Sequence, residues 1–177
     1  MKRGQLLSQP FFYIFAIIVI GLIFAFGFYY VNKVVKAGCE AEVLDFTSEF
    51  RKQVSEVASL GFGSSFECSV VRAAGQSESV CELILPQGVA GVCFADTTKG
   101  IVLNSNIKFD DVGRRIRGLG ENAKKNVFFS KEKNSDCKAN DFLVKKLTTE
   151  EVVCVDYKDS NNFVIENKGR EVLIRKT

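Results

Sequence analysis

Apolar residues follow one another almost without interruption near the start of the chain. Residues 4–32 include no charged side chain, and Phe, Ile, Val and Leu dominate residues 11–31. At about 1.5 Å of helical rise per residue, residues 11–31 are about 30 Å long, which matches the hydrocarbon core of a bilayer. The pattern predicts a transmembrane helix over residues 5–32, in contact with membrane lipid.

After residue 32 the apolar positions recur at intervals of three or four, with charged side chains between them. This periodicity is that of an amphipathic helix. The helix is therefore predicted to continue over residues 33–61 and to end at Gly61-Phe62-Gly63. We expect its apolar stripe to lie under a sheet formed by the rest of the chain. The stripe consists of Val43, Phe46, Phe50, Val54, Val57 and Leu60.

From residue 62 onwards the apolar period shortens towards two residues, which is typical of β-strands. Short strands separated by Gly-rich turns favour an antiparallel arrangement. Residues 110–125 are the exception, because helical spacing there predicts a short or broken helix. The predicted fold class is α+β, with a long N-terminal helix followed by an antiparallel β-rich head over residues 62–177. The predicted strands cover residues 65–73, 79–85, 91–95, 101–107, 126–130, 142–147, 151–157, 162–166 and 171–175.

Composition narrows the classes of function. The chain has 177 residues, enough for one anchor and one head, and it contains no histidine. Without His there is no Ser-His or Cys-His nucleophile pair and no imidazole metal ligand. The formal net charge is only +3, which gives no basic footprint for nucleic acid. We expect no enzymatic activity, no cofactor, no metal site and no nucleic-acid partner.

Six cysteines all follow the predicted span, and none belongs to a C-x-x-C pair. An even number with wide spacing favours disulfides in an oxidising exterior, and buried free thiols are the alternative. If residues 65–73 and 77–85 form a hairpin, Cys68 lies opposite Cys81 at a distance that a disulfide can bridge. The disulfide candidates are Cys39, Cys68, Cys81, Cys93, Cys137 and Cys154.

Charges beside the apolar segment indicate its orientation. Lys2 and Arg3 precede it, whereas Lys33 and Lys36 after it are diluted by acidic residues. The positive-inside rule then predicts a single-pass protein of the cell membrane, with a cytoplasmic N-terminus and an extracellular head. A cleaved secretory signal is the alternative, but its apolar region is usually shorter.

Small residues within the apolar segment allow two interpretations. Gly21, Ala25 and Gly27 are predicted to offer a close-packing face to another membrane helix, or else are simply tolerated in lipid.

Three short motifs have simpler structural explanations. Residues 118–123 fit G-x-G-x-x-A, but the preceding residues are too charged for the buried strand that a dinucleotide site needs, so a loop is expected. Asp110-Asp111 is assigned to a helix N-terminus rather than to acid–base chemistry. Ala37-Gly38-Cys39 is similar to a lipoprotein cleavage site, although Lys36 stands where an aliphatic residue is needed; Cys39 is expected to be a disulfide partner or a free thiol.

The opening Lys2-Arg3-Gly4-Gln5 and the apolar helix after it resemble the class III signal peptide of archaeal type IV pilin-like proteins. The resemblance implies cleavage between Gly4 and Gln5, which makes residues 1–4 a basic leader. It also implies a pilin-type stem helix and a β-rich head, as in small archaeal membrane proteins that share this N-terminal segment. The chain departs from bacterial-type pilins at Gln9, where those carry a glutamate, and Pro10 follows it.

Two functional hypotheses follow. The first is a non-enzymatic, membrane-anchored, pilin-like surface protein whose outward-facing head makes contacts with other pilin-like subunits or with envelope proteins. The second is a stand-alone single-pass membrane protein whose head binds an envelope partner.

Overall fold

The computed structural model describes residues 8–75, 79, 81–98, 107–119, 124–158 and 162–177. The chain forms two units, Met1–Gly38 (the anchor unit) and Cys39–Thr177 (the head unit). Its fold is α+β, as predicted. Two helices and eight strands lie within the described residues: α1 (Ser8–Ser59), β1 (Ser65–Val71), β2 (Cys81–Ile84), β3 (Val89–Phe94), α2 (Asp110–Gly118), β4 (Val127–Lys131), β5 (Leu147–Thr149), β6 (Val153–Asp156), β7 (Asn162–Asn167) and β8 (Val172–Lys176).

The described part of the anchor unit is helical and belongs to α1. Its apolar segment Phe11–Val31 is 21 residues long and is not buried against any other part of the chain. A helix that is apolar on all sides needs an apolar environment around it. The segment is long and apolar enough to cross a membrane, a property that it shares with signal sequences near an N-terminus. The predicted processing residues Gly4 and Gln5 lie outside the described residues.

In the head unit, the rest of α1 forms one side of the hydrophobic core. Five residues of the apolar stripe, from Val43 to Val57, are buried together with side chains of both sheets. This confirms the predicted packing of the stripe. The sixth, Leu60, is 39% exposed because α1 ends one residue earlier, at Ser59.

Aromatic rings join α1 to the strands. Phe50 is fully buried and stacks on Phe94 of β3, with ring centroids 5.1 Å apart. Phe94 in turn lies 5.0 Å from Phe163 of β7. The core is therefore continuous from the helix through one sheet to the other.

The strands form two sheets. The larger has the order β2-β1-β7-β8-β5 and the smaller the order β4-β3-β6. Most neighbours are antiparallel, as predicted, but β1/β2 and β5/β8 are parallel. Helix α2 packs on the smaller sheet through Val112 and Ile116, which confirms the predicted short helix.

The predicted hairpin around residues 74 and 75 is wrong. Cys68 and Cys81 are register partners, as the hairpin required, but β1 and β2 run parallel. Residues 72–80 supply up to about 30 Å of extended chain, enough to return beside the middle of β1. The amide of Leu85 then donates to Val71 O at 2.8 Å and extends the parallel pairing.

The predicted strand at residues 142–147 is also wrong. Phe142 makes only an isolated bridge with Val127, and the strand in this region is β5, which begins at Leu147. Asn126 explains the difference, because its side chain bonds both backbone groups of Val144 at 2.8 Å and takes the place of a neighbouring strand. For the predicted strand at 101–107, residues 101–106 lie outside the described residues.

All six cysteines are paired. The disulfides are Cys39–Cys137, Cys68–Cys81 and Cys93–Cys154. The disulfide prediction is confirmed, and the alternative of free thiols is wrong. Cys39–Cys137 links α1 to the segment after β4, whereas the other two join neighbouring strands.

Candidate functional site

Two charged grooves flank α1 in the head unit. The first, here called the acidic groove, has a volume of about 330 Å³ and lies between α1 and β2. Three carboxylates line its helical wall and a fourth comes from the strand, over an apolar floor. The carboxylates are those of Glu42, Asp45, Glu49 and Glu82, and the floor is formed by Phe46, Leu83 and Leu85.

The acidic groove keeps its negative charge because its one cation is engaged elsewhere. Arg72 is ion-paired with Glu132, donates to Pro86 O at 2.9 Å and lies 4.0 Å from the centre of the Tyr157 ring. Asp45 is exposed and has no ion-pair partner among the described residues.

The other two helical carboxylates make only local bonds. Glu42 accepts the backbone N–H of Gln87 at 2.6 Å. Glu49 accepts from Gln53 at 2.8 Å and from Lys52 at 3.5 Å. None of these contacts fills the groove.

The acidic groove follows an edge of the larger sheet. Strand β2 is the outermost strand there. Side chains of successive strand residues point to opposite faces, yet the groove is lined by all of residues 82–85. Contact with four successive residues places the groove along the strand's edge, where a sheet accepts another chain.

The second groove, here called the basic groove, has a volume of about 580 Å³. It lies between α1 and residues 143–146, and Arg51, Lys145 and Lys146 line it without any acidic residue. Arg51 donates to Leu143 O at 3.2 Å and lies 5.5 Å from the centre of the Phe142 ring. None of the three cations has a carboxylate partner within the described parts of the chain. Its apolar lining is Val54, Ala58, Leu143 and Val144.

The two grooves lie on opposite flanks of α1. Successive helical residues are turned by about 100°, so the helical residues of the acidic groove and those of the basic groove are centred about 180° apart. The apolar stripe lies between them and faces the core. The head unit therefore presents opposite charges in two opposite directions.

The basic run at residues 114–125 is partly neutralised within the fold. Arg115 bonds Asp141 at 2.5 Å, lies 3.4 Å from Asp111 and donates to Phe129 O. Asp111 also accepts from Ser130 at 2.9 Å. These contacts tie α2 to β4, so Arg115 and Asp111 have a structural role.

The remaining sequence motifs show no ligand chemistry. The residues before Gly118 form α2 rather than the strand that a dinucleotide fingerprint needs; residues 120–123, part of the expected loop, lie outside the described residues. Asp156 is ion-paired with Lys108. Within the residues that the structure describes, no group of three His, Cys, Asp or Glu side chains is placed to hold a metal ion.

The other predicted site residues have mixed outcomes. A Cβ atom added at Gly21 or Gly27 would meet no atom within 4 Å, so the helix-packing face with Ala25 stays a prediction about a second helix. The cysteines pair within the chain, and the sulfur of Cys39 is used by Cys137. Sequence reasoning missed both grooves, because it assigned the charged residues of α1 to solvated faces.

Comparison with protein-family models, with curated proteins and with solved structures found no match. The residues and contacts of this chain are therefore the basis for its function.

Proposed function

We propose that this chain is a non-enzymatic, single-pass protein of the cell membrane, similar to archaeal pilin-like proteins, whose extracellular head makes contacts with other proteins. The observation that carries the proposal is the contrast between its two units. An apolar helix with nothing of its own chain to cover it is followed by a head with three disulfides.

Each unit supports a different part of the proposal. An uncovered apolar helix of 21 residues is stable where lipid surrounds it. Disulfides persist in oxidising surroundings, which favours a head outside the cytoplasm. The two charged grooves support a contact function, because they offer shape and charge in the head and no assembled catalytic group.

The pilin-like part of the proposal depends on the Lys2-Arg3-Gly4-Gln5 leader and on α1, which extends from the apolar segment into the head unit. The stand-alone alternative, in which the head binds an envelope partner, is favoured by Gln9, because a pilin-type glutamate is missing there.

Labelling of intact cells tests membrane location and orientation together. A membrane-impermeant amine reagent is expected to modify head lysines such as Lys145 and Lys146, which are exposed. After an alkaline carbonate wash, the labelled chain should stay in the membrane fraction. Labelling only after lysis would contradict an extracellular head, and release by the wash would contradict a retained anchor.

A further inference from the structure

The two charged grooves complement each other. The acidic groove carries carboxylates over an apolar floor, and the basic groove carries three cations over an apolar floor. We infer that the acidic groove of one head unit binds the basic groove of a second copy of this chain. This inference rests on the proposed function, in which the head makes protein contacts, and it names the partner.

The placement of the grooves determines the kind of assembly. Because they lie on opposite flanks of α1, a copy that binds through one groove leaves the other accessible to a third copy. Such a contact is heterologous, since different surfaces of the two copies meet. A heterologous contact continues from copy to copy, whereas a two-fold dimer would use one surface twice.

The grooves are also displaced along the helix. Glu42, Asp45 and Glu49 precede Arg51, Ser55 and Ala58 by about nine residues on average, which is about 14 Å of helical rise. Neighbouring copies with parallel α1 helices are then shifted by a similar distance. The shift adds up with each copy, so the series is open and staggered rather than a flat ring.

Charge is the main source of specificity in this contact. Opposite charges at an interface steer encounter and exclude wrong partners, and salt screens them when they are exposed. Self-association of the full chain in detergent is therefore expected at about 0.05 M salt and to weaken at least tenfold at about 0.5 M.

Two charge-reversed variants test the inference. The acidic-groove variant carries Asp45→Lys and Glu49→Lys, and the basic-groove variant carries Lys145→Glu and Lys146→Glu. All these side chains lie in a groove, outside the buried core. Full-length chains with two different affinity tags are purified separately, mixed in excess detergent, and captured through one tag.

Wild-type copies are expected to capture each other. Either variant alone should lose at least about tenfold of this capture, because its two grooves then have the same sign. A mixture of the two variants should regain it, because the unchanged basic groove of one meets the unchanged acidic groove of the other. Thermal unfolding and non-reducing peptide maps confirm that both variants are folded.

The control variants reverse the same number of charges elsewhere. Lys133→Glu with Lys138→Glu matches the basic-groove variant, and Glu150→Lys with Glu151→Lys matches the acidic-groove variant; none of these residues lines either groove. Both controls should associate as the wild type does.

Several results would overturn the inference: no capture between wild-type copies, no recovery in the mixture, or loss in the acidic-groove variant alone. The last result would indicate a basic partner other than this chain. An anchored, extracellular head that fails to self-associate contradicts this inference only, whereas an unlabelled head in intact cells contradicts the proposed function.

Discussion

Asn167 closes the end of α1 and is the residue whose replacement we examine in most depth. It is the last residue of β7 and is only 3% exposed. Its side-chain amide donates towards three carbonyl oxygens at the end of the helix, those of Val57 at 3.2 Å, Ala58 at 3.5 Å and Leu60 at 2.7 Å. Its side-chain oxygen accepts the N–H of Gly169 at 2.6 Å.

The cost of Asn167→Ala follows from these bonds. An amide has two N–H hydrogens, so the side chain supplies two good donor bonds and one acceptor bond. Each bond contributes about 0.5–1.5 kcal/mol, and buried carbonyls left without a partner cost more. We expect a loss of about 2–4 kcal/mol in the free energy of unfolding, which lowers Tm by about 6–12 °C for a unit of this size.

Two further variants sharpen the test. Asn167→Asp keeps the acceptor for Gly169 but places a carboxylate oxygen against the helix carbonyls, so it should destabilise at least as much as Asn167→Ala. Asn162→Ala is the matched control on the same strand, because its amide bonds only the exposed Glu67, at 3.2 Å, and its side-chain oxygen is buried without a partner among the described residues. Its effect should stay within about 0.5 kcal/mol.

The assay is thermal unfolding of the full chain in detergent with its disulfides intact, followed by circular dichroism. A Tm for Asn167→Ala within about 2 °C of the Asn162→Ala value would refute the proposed role of Asn167 at the helix end.

Three further changes test other parts of the fold. Phe50→Ala should cost about 3–5 kcal/mol because Phe50 is fully buried, whereas Leu44→Ala, 69% exposed on the same helix, should cost little; equal Tm shifts would argue against the apolar stripe as the core face. Replacing Cys39 and Cys137 by Ser should lower stability by about 2–4 kcal/mol, since the disulfide spans 98 residues, and limited proteolysis should then cut the segment after β4 faster; unchanged cleavage would contradict this link. Arg115→Met leaves two partner carboxylates without their cation and should lower Tm by several degrees, measured against Arg114→Met on the exposed side of α2; equal shifts would contradict the structural role of Arg115.

Periodicity in the sequence was sufficient to predict the helices and the core face of α1. The spacing from Val43 to Val57 depends on neighbours within one helix, so local sequence determines it. Strand direction was not predictable in the same way. The pairing of Cys68 with Cys81 has the same register in a hairpin and in a parallel pair, and the length of the connection decides between them.

Contacts between distant segments account for the other differences. Asn126 replaces a strand neighbour for Val144 through side-chain bonds, which no alternation of apolar residues reveals. The basic groove brings Arg51 beside Lys145, two residues that are far apart in the sequence. Only the folded arrangement of α1 and the segment after β4 makes that cluster of charge visible.

The state of the mature chain is decided most directly by the intact mass of the protein purified from membranes, after alkylation without a reducing agent. A processed surface protein begins at Gln5 and takes up no alkyl group, because all six cysteines are paired. A chain that begins beyond residue 31 would show that the apolar helix is a cleaved signal. A chain that keeps Met1 and carries alkylated cysteines would contradict both the processing and the extracellular head.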